Sequence, residues 1–300
     1  MLRVHFYDVG QGLAALVDLP DGRHVLVDAG DEPGRPGCDE CEAEHRHLLA
    51  KLRTDLGAAP IDMLWITHPH SDHVGGAPGV LEAFPVSAYV DDGRDLDKPV
   101  TRRSRSAAKA RGASVQSVDP AHPRVPLGSS ANLALKSVVP ASWPPQCARD
   151  PNECSAGLRI DFCASSVLFT GDAERAEEAK LDPGAPVTLL QVAHHGSDTS
   201  TSAEFLARAA PRYAVISAGK PGAGLNATYC HPRATTVERL TRALGGPGER
   251  RLLAFESNVG CERASRADWL EVPASDHLWA TERDGDVTLA TAGDAIFVRE

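Results

Sequence analysis

The sequence predicts an α/β protein in which two mixed β-sheets carry helices on their outer faces. Short runs of β-branched and apolar residues recur along the 300-residue chain, separated by glycine, proline and aspartate. Helical patterns follow groups of strands rather than every strand, so a single parallel sheet is not expected. With 42% hydrophobic and 24% charged residues, the composition is that of a globular protein and excludes disorder, collagen and coiled coil.

Each element is expected where the spacing of apolar residues changes between turn residues. The expected strands are Leu2–Tyr7, Leu13–Leu19, Val25–Asp28, Met63–Thr67, Ser87–Val90, Leu133–Val139, Leu158–Cys163, Val167–Thr170, Val187–Val192, Tyr213–Ser217 and Asp286–Ala290. The expected helices are Glu42–Leu56, Gly76–Phe84, Val100–Arg111, Ala173–Lys180, Ser202–Ala210 and Pro232–Leu244. Pro232 suits the first position of the last helix, because the amide proton that proline lacks would be unpaired there.

The chain is expected to form one domain over residues 1–300, with long loops near 31–41, 140–154 and 256–276. We expect a soluble, cytoplasmic protein without membrane contact, since no leader pattern and no apolar run of about 20 residues is visible. Seven cysteines, an odd number, indicate reduced thiols rather than a disulfide scaffold. A formal charge of −10 argues against coating nucleic acid by bulk electrostatics but leaves room for a local basic groove.

The sharpest motif is a cluster of metal-ligand residues between a strand and a helix. His68, His70, Asp72 and His73 fall within six residues, directly after the apolar strand that ends at Thr67. Imidazole and carboxylate groups are the ligands of zinc and related divalent ions. Four such groups at one strand-to-helix turn predict a metal site rather than a histidine-rich surface loop.

Two other strands also end in residues of this type. Asp172 follows Val167–Thr170, and the pair His194 and His195 follows Val187–Val192. A single aspartate after a strand is more often a helix N-cap than a ligand. Three strand ends that meet at one sheet edge favour the ligand interpretation.

Taken in order, these motifs resemble the metallo-β-lactamase superfamily, and within it the ComEC-type competence-protein hydrolase domain. The residues that carry the resemblance are Asp8–Gly12, Val27–Gly30, His68–Gly76, Phe169–Asp172, His194–Ser197, Tyr213–Gly219, His231–Pro232 and the segment Trp279–Leu289. The match runs from about Val4 to Leu244 and then resumes at Trp279. Only the first histidine motif is specific by itself, and the ordered set is far more specific than any member.

The resemblance implies a four-layer αββα sandwich with two divalent metal ions, zinc or manganese, at one edge. Carried over by position, the implied ligands are His68 and His70 for the first ion, Asp72, His73 and His195 for the second, and Asp172 as the bridge. Asp28 resembles an aspartate that supports the metal loop without binding an ion.

The sequence departs from the superfamily at the third ligand of the first ion, which is often a histidine from an intervening strand. The only histidine between His73 and Asp172 is His122, and prolines on both sides predict a turn there. ComEC-like members have an Asn/Ser segment in that place, which Asn152–Ser155 resembles. The first ion is therefore expected to have fewer protein ligands.

The implied activity is metal-dependent hydrolysis by a hydroxide bound to both ions, with a nucleic acid or another phosphodiester as the leading substrate. Asp72, His194 and His231 are the candidate catalytic residues, the two histidines for orienting substrate or protonating the leaving group. Asp8 and Gln11 lie in a tight turn that could face the site. Hydrolysis of a small ester (a phosphocholine ester, thioester or lactam) is the alternative, and a binding module with a vestigial site is a third.

Candidate substrate contacts come from the basic segment Lys98–Arg111, which contains no acid. Arg102, Arg103, Arg105 and, from a separate loop, Lys220 are expected to contact phosphate, although a charge run is also typical of a solvated helix face. Cys38 and Cys41, followed by His45 and His47, form a possible second zinc site that lacks a second cysteine pair.

Overall fold

Sixteen strands are present in the computed structural model, which describes residues 1–184, 186–256 and 261–300. They are β1 (Leu2–Phe6), β2 (Ala15–Asp18), β3 (His24–Val27), β4 (Ile61–Trp65), β5 (Val86–Asp91), β6 (Ser114–Ser117), β7 (Leu133–Val138), β8 (Gly157–Phe162), β9 (Ser165–Phe169), β10 (Leu189–Gln191), β11 (Tyr213–Ile216), β12 (Arg251–Phe255), β13 (Trp269–Pro273), β14 (Leu278–Ala280), β15 (Val287–Thr291) and β16 (Val298–Arg299). Together they form two large sheets and one two-stranded sheet.

Both large sheets place a run of parallel strands beside antiparallel ones. The first sheet has the order β16-β15-β1-β2-β3-β4-β5-β6, and its strands are parallel from β3 to β6. The second has the order β14-β11-β10-β9-β8-β7, and its strands are parallel from β9 to β14. The expectation of two mixed sheets is confirmed.

Helices lie between the strands along the chain. They are α1 (Cys41–Leu56), α2 (Ser71–Val74), α3 (Ala77–Ala83), α4 (Pro99–Ala110), α5 (Arg175–Glu178), α6 (Ala203–Ala209), α7 (Asn226–Tyr229), α8 (Ala234–Ala243) and α9 (Thr281–Asp284). The last long helix, α8, begins at Ala234 rather than at Pro232, and Arg233 before it has an extended backbone (φ −81°, ψ 141°). The prediction that Pro232 opens this helix is therefore wrong.

Alternation of side chains along the strands builds the four layers. Val25 and Val27 of β3 pack between the two sheets, together with Val167 and Phe169 of β9. The intervening Leu26 faces the outer helices α1, α3 and α4. On the other side, α6 and α8 cover the second sheet. The αββα sandwich implied by the resemblance is thus the observed architecture.

The predicted loop at 256–276 differs from the structure in part. Residues 257–260 lie outside the described residues, but β13 occupies Trp269–Pro273 and pairs antiparallel with β12. This strand pair was missed because Leu253 and Leu270 are exposed, so its pattern is not that of a buried sheet. The single-domain assignment over residues 1–300 stays a prediction.

Six cysteines form disulfide bonds, so the expectation of reduced thiols is wrong. The pairs are Cys38–Cys41, Cys147–Cys154 and Cys230–Cys261. Cys163, which is exposed, is the remaining free thiol. An odd number of cysteines does not exclude disulfides, because seven cysteines can form three pairs and leave one thiol free. Within the described ranges, no helix combines the length and apolar character needed to cross a membrane.

Candidate metal centre

The metal-ligand motifs come from strands of both large sheets. Thr67 and His68 follow β4 of the first sheet, whereas Asp172 and His195 follow β9 and β10 of the second. Because β9 and β10 pair in parallel, they present their carboxyl ends at one sheet edge. The end of β4 meets that edge across the sandwich, where the backbone N–H of Ala156 donates to the carbonyl oxygen of Thr67 at 2.7 Å. Gly171, between β9 and Asp172, has φ +56°, and a Cβ there would stand 2.7 Å from the Thr67 side chain. Glycine is therefore needed where the two strand ends approach each other.

Four side chains form a compact cluster at this edge. Ligand atoms of Asp72, His73, Asp172 and His195 all lie within 4.8 Å of one another. Nε2 of His73 is 3.2 Å from Nε2 of His195 and 3.1 Å from Oδ1 of Asp172. Nε2 of His195 is 3.5 Å from Oδ2 of Asp72. Ligands about 2.0–2.1 Å from one tetrahedral ion stand about 3.3 Å apart, so the cluster fits a single cation.

Two partners hold the histidine rings of this cluster in the orientation that a metal requires. Nδ1 of His73 contacts Oδ2 of Asp28 at 2.7 Å, and Nδ1 of His195 contacts the carbonyl oxygen of Ser217 at 2.7 Å. Each Nδ1–H therefore donates outward, which leaves Nε2 to face the cluster. Asp28 also accepts the backbone N–H of Thr67, and it thus takes the supporting position that the resemblance implies.

A second pair of rings meets on the other side of Asp172. Nε2 of His68 lies 3.1 Å from Nδ1 of His70 and 3.9 Å from Oδ2 of Asp172. The two facing ring nitrogens have the separation expected of ligands that share an ion. The structure thus brings together all six residues proposed as metal ligands, with Asp172 between the two groups. Fewer side chains surround the His68–His70 pair than surround His195.

Opposite charges stabilise the ionised carboxylates of the metal-free cluster. Burial would raise the pKa of Asp72, but the hydrogen bond to His195 and the charge of His73 outweigh it and lower that pKa. Burial would lower the pKa of His195, but Asp172 outweighs it and raises the pKa to about 10. Burial and the neighbouring His73 lower the pKa of His68 well below its usual value. The buried carboxylates therefore attract positive charge, whether from protons or from a metal.

The turn after β10 has an unusual backbone. His194, His195 and Gly196 have φ values of 51°, 53° and 84°, all in the left-handed region. Non-glycine residues rarely adopt this conformation, and histidine does so more readily than most. The turn directs His195 into the cluster and sets His194 beside it, with Nε2 3.9 Å from Oδ2 of Asp172.

A cleft of about 190 Å³ opens onto the cluster. Its lining residues are Gln11, Arg35, His70, Ser71, Asp72, Asn152, Asp172, His194, His195, Tyr229 and His231. The structure therefore places all three candidate catalytic residues in one cleft. Asp8, by contrast, lines a neighbouring pocket of about 370 Å³, which Gln11 also lines.

Hydrogen bonds assign different protonation patterns to the two cleft histidines. Burial would lower the pKa of His194, but Asp172 and the contact between Nδ1 and Oε1 of Glu174, at 3.1 Å, outweigh it and raise that pKa. The side-chain oxygen of Gln11 accepts the backbone N–H of Gly219, which turns its amide nitrogen toward Nδ1 of His231 at 3.5 Å. His231 then carries its proton on Nε2.

Sequence reasoning missed Arg35, which provides a positive charge in the cleft. Its guanidinium donates to Oγ of Ser71 at 2.6 Å and pairs with Asp31. The only local signal was an arginine in a loop rich in glycine and proline. Tyr229 was also missed, because α7 is a single short turn without a periodic pattern.

The predicted substrate-binding arginines are placed differently from the expectation. Arg105 donates to both carboxylate oxygens of Asp91, at 2.6 and 2.7 Å, and Arg103 pairs with Glu32. Arg102 donates to the backbone of Asp97, and Lys220 lines the neighbouring pocket. Within the described part of the chain, none of the four lines the metal cleft. The acidic partners of Arg103 and Arg105 come from other segments of the chain. The basic segment therefore seemed to have no ion-pair partners when the sequence was considered alone.

Two alternative metal sites are not formed. Cys38 and Cys41 are joined by a disulfide, which removes the thiolates that zinc needs. His47 instead contacts Asp286 at 2.9 Å. His122 bonds locally to Asp119, and its side chain is 76% exposed, so it does not supply a ligand to the first ion.

The fold and the buried His/Asp cluster together define a metallo-β-lactamase-like protein with a candidate metal site. A family model described as the metallo-beta-lactamase superfamily matches residues 7–220, and the chain belongs to this superfamily.

Three curated bacterial proteins are similar to this chain. It is 29% identical over 254 residues to ComE operon protein 3 of Bacillus subtilis (strain 168), covering 80% of this chain and 30% of that protein. It is 29% identical over 244 residues to Recombination protein 2 of Haemophilus influenzae, covering 80% and 26% respectively. It is 27% identical over 250 residues to Competence protein ComA of Neisseria gonorrhoeae, covering 81% and 30%. The chain spans less than a third of the length of these relatives.

Proposed function

We propose that this protein is a metal-dependent phosphodiesterase whose leading substrate class is nucleic acid. The observation that carries the proposal is the cluster of Asp72, His73, Asp172 and His195 at the base of an open cleft. Relatives named for recombination and competence favour nucleic acid over other phosphodiesters. When bound there, two divalent ions, zinc or manganese, would activate water and polarise the phosphoryl oxygen.

Residues of the chain have separate tasks around the scissile group. Asp172 lies between the two ligand groups and would hold both ions. Arg35 offers a guanidinium to a phosphate oxygen, since its fork matches that geometry. Burial and the charge of His194 lower the pKa of His231 well below its usual value, so its neutral ring would orient the substrate through Nε2–H. His194, held by Glu174, would protonate the leaving oxygen.

Hydrolysis of a small ester is the second candidate, and a specific observation favours it. Arg103 and Arg105 of the predicted basic segment form ion pairs within the protein. Less positive charge is therefore free to bind the phosphate backbone of a polymer. The pocket beside the cleft is lined by Asp8, Glu40 and Glu44, which repel additional phosphates. A compact substrate would avoid this repulsion. A vestigial binding site is less favoured, because all six residues that the resemblance implies as ligands are present.

We further propose an oxidising compartment as the place of action, in place of the cytoplasm expected from the sequence. Three disulfides support this location, since such bonds persist where thiols are not kept reduced. Trapping of free thiols in intact cells, followed by mass spectrometry, tests it. Alkylation of all seven cysteines in the native protein, rather than of Cys163 alone, would contradict the proposal.

The activity test uses the purified chain with Mn²⁺ or Zn²⁺. Substrates are single-stranded DNA, double-stranded DNA and bis-p-nitrophenyl phosphate, with a thioester and a lactam in parallel. Asp72→Ala and His73→Ala are expected to abolish cleavage, while His122→Ala, a histidine outside the cleft, retains it. Cleavage of the reporter without cleavage of DNA would favour the small-ester alternative. No metal-dependent cleavage of any phosphodiester would refute the phosphodiesterase assignment.

His194 and Arg35 are tested on the same reporter. His194→Ala should lower kcat by about 10²-fold or more, the usual contribution of a general acid. Arg35→Lys should weaken substrate binding while metal content stays unchanged, because Arg35 contacts Ser71 and Asp31 rather than the ligand cluster.

A further inference from the structure

Asn152 carries an unsatisfied oxygen into the metal cleft. Its side chain is only 6% exposed and lines the cleft together with His70 and Asp172. Oδ1 of Asn152 is buried and has no hydrogen-bond partner among the described residues. Leaving a buried polar atom unpaired costs about 1–3 kcal/mol, so such an atom calls for an explanation.

The orientation of the Asn152 amide follows from its neighbour. Nδ2 of Asn152 lies 3.4 Å from Nε2 of His194. The amide oxygen then points away from His194, which leaves its lone pairs free.

The segment around Asn152 is held firmly in place. The Cys147–Cys154 disulfide encloses it, and the carboxylate of Asp150 accepts the backbone N–H of Asn152 at 3.0 Å. The hydroxyl of Ser155 donates to the carbonyl oxygen of Asn152 at 3.1 Å and accepts the N–H of Asp172 at 3.1 Å. One hydroxyl thus fixes Asn152 relative to the residue that lies between both ligand groups.

We propose that Oδ1 of Asn152 is a ligand of the metal ion held by His68 and His70. This position lacks a third histidine, and an amide oxygen that is buried, oriented and unpaired is the group the structure supplies there. Carbonyl oxygen suits Mn²⁺ or Mg²⁺ better than Zn²⁺, whereas a third imidazole would suit Zn²⁺. The first site is thereby specialised for a harder cation than the cluster around His195.

The proposal rests on the proposed function only in that the cleft binds two metal ions. Its test is therefore a binding measurement that needs no substrate. The metal-free full chain is titrated with Mn²⁺ by calorimetry, and free Mn²⁺ is counted by electron paramagnetic resonance. The wild-type chain is expected to bind two ions. Asn152→Ala should keep the tighter ion and weaken the other by about ten-fold or more, the loss typical of a removed supporting group or ligand.

Two further variants make the outcome decisive even if Asn152→Ala does not fold. Asn152→Asp keeps an oxygen donor and should retain both Mn²⁺ ions. Asn152→His should retain two sites and shift the first toward Zn²⁺ by about ten-fold or more. Asn132→Ala, at an exposed asparagine, is the matched control and should bind as the wild type does.

The result that overturns the proposal is equally specific. Two Mn²⁺ ions bound to Asn152→Ala with wild-type affinities would exclude Asn152 as a ligand. Loss of the weaker ion in His194→Ala, with Asn152→Ala unaffected, would assign the ligand to His194 instead. Binding of a single ion by the wild-type chain would also overturn it. Absence of cleavage, by contrast, would count only against the proposed function.

Discussion

Nδ1 of His73 lies 2.7 Å from Oδ2 of Asp28, and neither side chain is exposed to solvent. The carboxylate fixes the tautomer of the ring, so that Nε2 faces His195 and Asp172. Asp28 also accepts the N–H and the hydroxyl of Thr67, each at 2.8 Å. Asp28 therefore positions two parts of the site: the backbone at Thr67, directly before His68, and the ring of His73.

Replacing Asp28 with asparagine should weaken metal binding more than it weakens the fold. The asparagine side chain is of similar size, but only its oxygen accepts hydrogen bonds. It therefore cannot replace both carboxylate oxygens of Asp28, which accept from His73 and Thr67. We expect a loss of about 10–100-fold in metal affinity, measured by calorimetry. Asp62→Asn is the control, because Asp62 also accepts a backbone N–H, that of His24, but lies away from the cluster. Equal affinities in the two variants would contradict the role of Asp28.

Removal of bound metal should lower thermal stability. Asp72 and Asp172 are acids of the same buried cluster, and a cation relieves their repulsion. A ligand present at a hundred times its dissociation constant stabilises the folded state by about 2.7 kcal/mol. Chelation should therefore lower Tm by roughly 5 °C, measured by calorimetric scanning. Asp72→Ala should show a much smaller response to the chelator, and an unchanged response would show that the effect arises elsewhere.

Removal of the Cys147–Cys154 disulfide should destabilise the chain. The bond closes a loop with a sequence separation of seven residues, for which chain entropy gives about 2.5 kcal/mol. We expect the double variant Cys147→Ala/Cys154→Ala to lose stability on this scale in urea unfolding. Cys163→Ser, at the free and exposed thiol, should behave as the wild type does. A double variant as stable as the control would show that the bond does not constrain the unfolded chain.

Glu282 should make stability depend on pH. Burial and the nearby charge of Asp284 raise its pKa from about 4.5 to about 8, so the folded chain binds a proton more tightly than the unfolded chain does. The free energy of unfolding is therefore expected to fall as the pH rises from about 4.5 to about 8.

The test compares Glu282→Gln with the wild type in urea at pH 5 and pH 8.5. The variant should match the wild type at the lower pH and exceed it at the higher pH by up to about 5 kcal/mol, since each pKa unit is worth about 1.4 kcal/mol. Glu271→Gln, at an exposed glutamate, should show no such difference. Parallel curves for wild type and Glu282→Gln would rule out this residue as the source.

Local patterns in the sequence predicted the sheets and the metal ligands. The apolar strands β4, β9 and β10 were recognisable because their residues are buried on both faces. Ligands that directly follow such strands, such as Asp172, are placed by the strand alone. Parallel pairing of β9 with β10 then brings Asp172 and His195 to one edge, whereas their meeting with the end of β4 depends on how the two sheets pack.

Residues that depend on distant partners could not be predicted in this way. Arg105 looked free because Asp91, its partner, lies 14 residues away in another element. Asn152 reaches the cleft only through a disulfide and a hydroxyl that tie its loop to Asp172. The pairing of six cysteines likewise depends on loops meeting in space, which spacing along the chain does not reveal.

The left-handed turn at His194, His195 and Gly196 has a consequence for the energetics of binding. Its unfavourable backbone conformation is adopted during folding and is maintained by the surrounding layers. An arriving cation therefore meets a turn that is already bent, and no part of its binding free energy is spent on bending it. Such preorganisation favours tight binding by a small site and makes the backbone of this turn, as much as its imidazoles, a determinant of affinity.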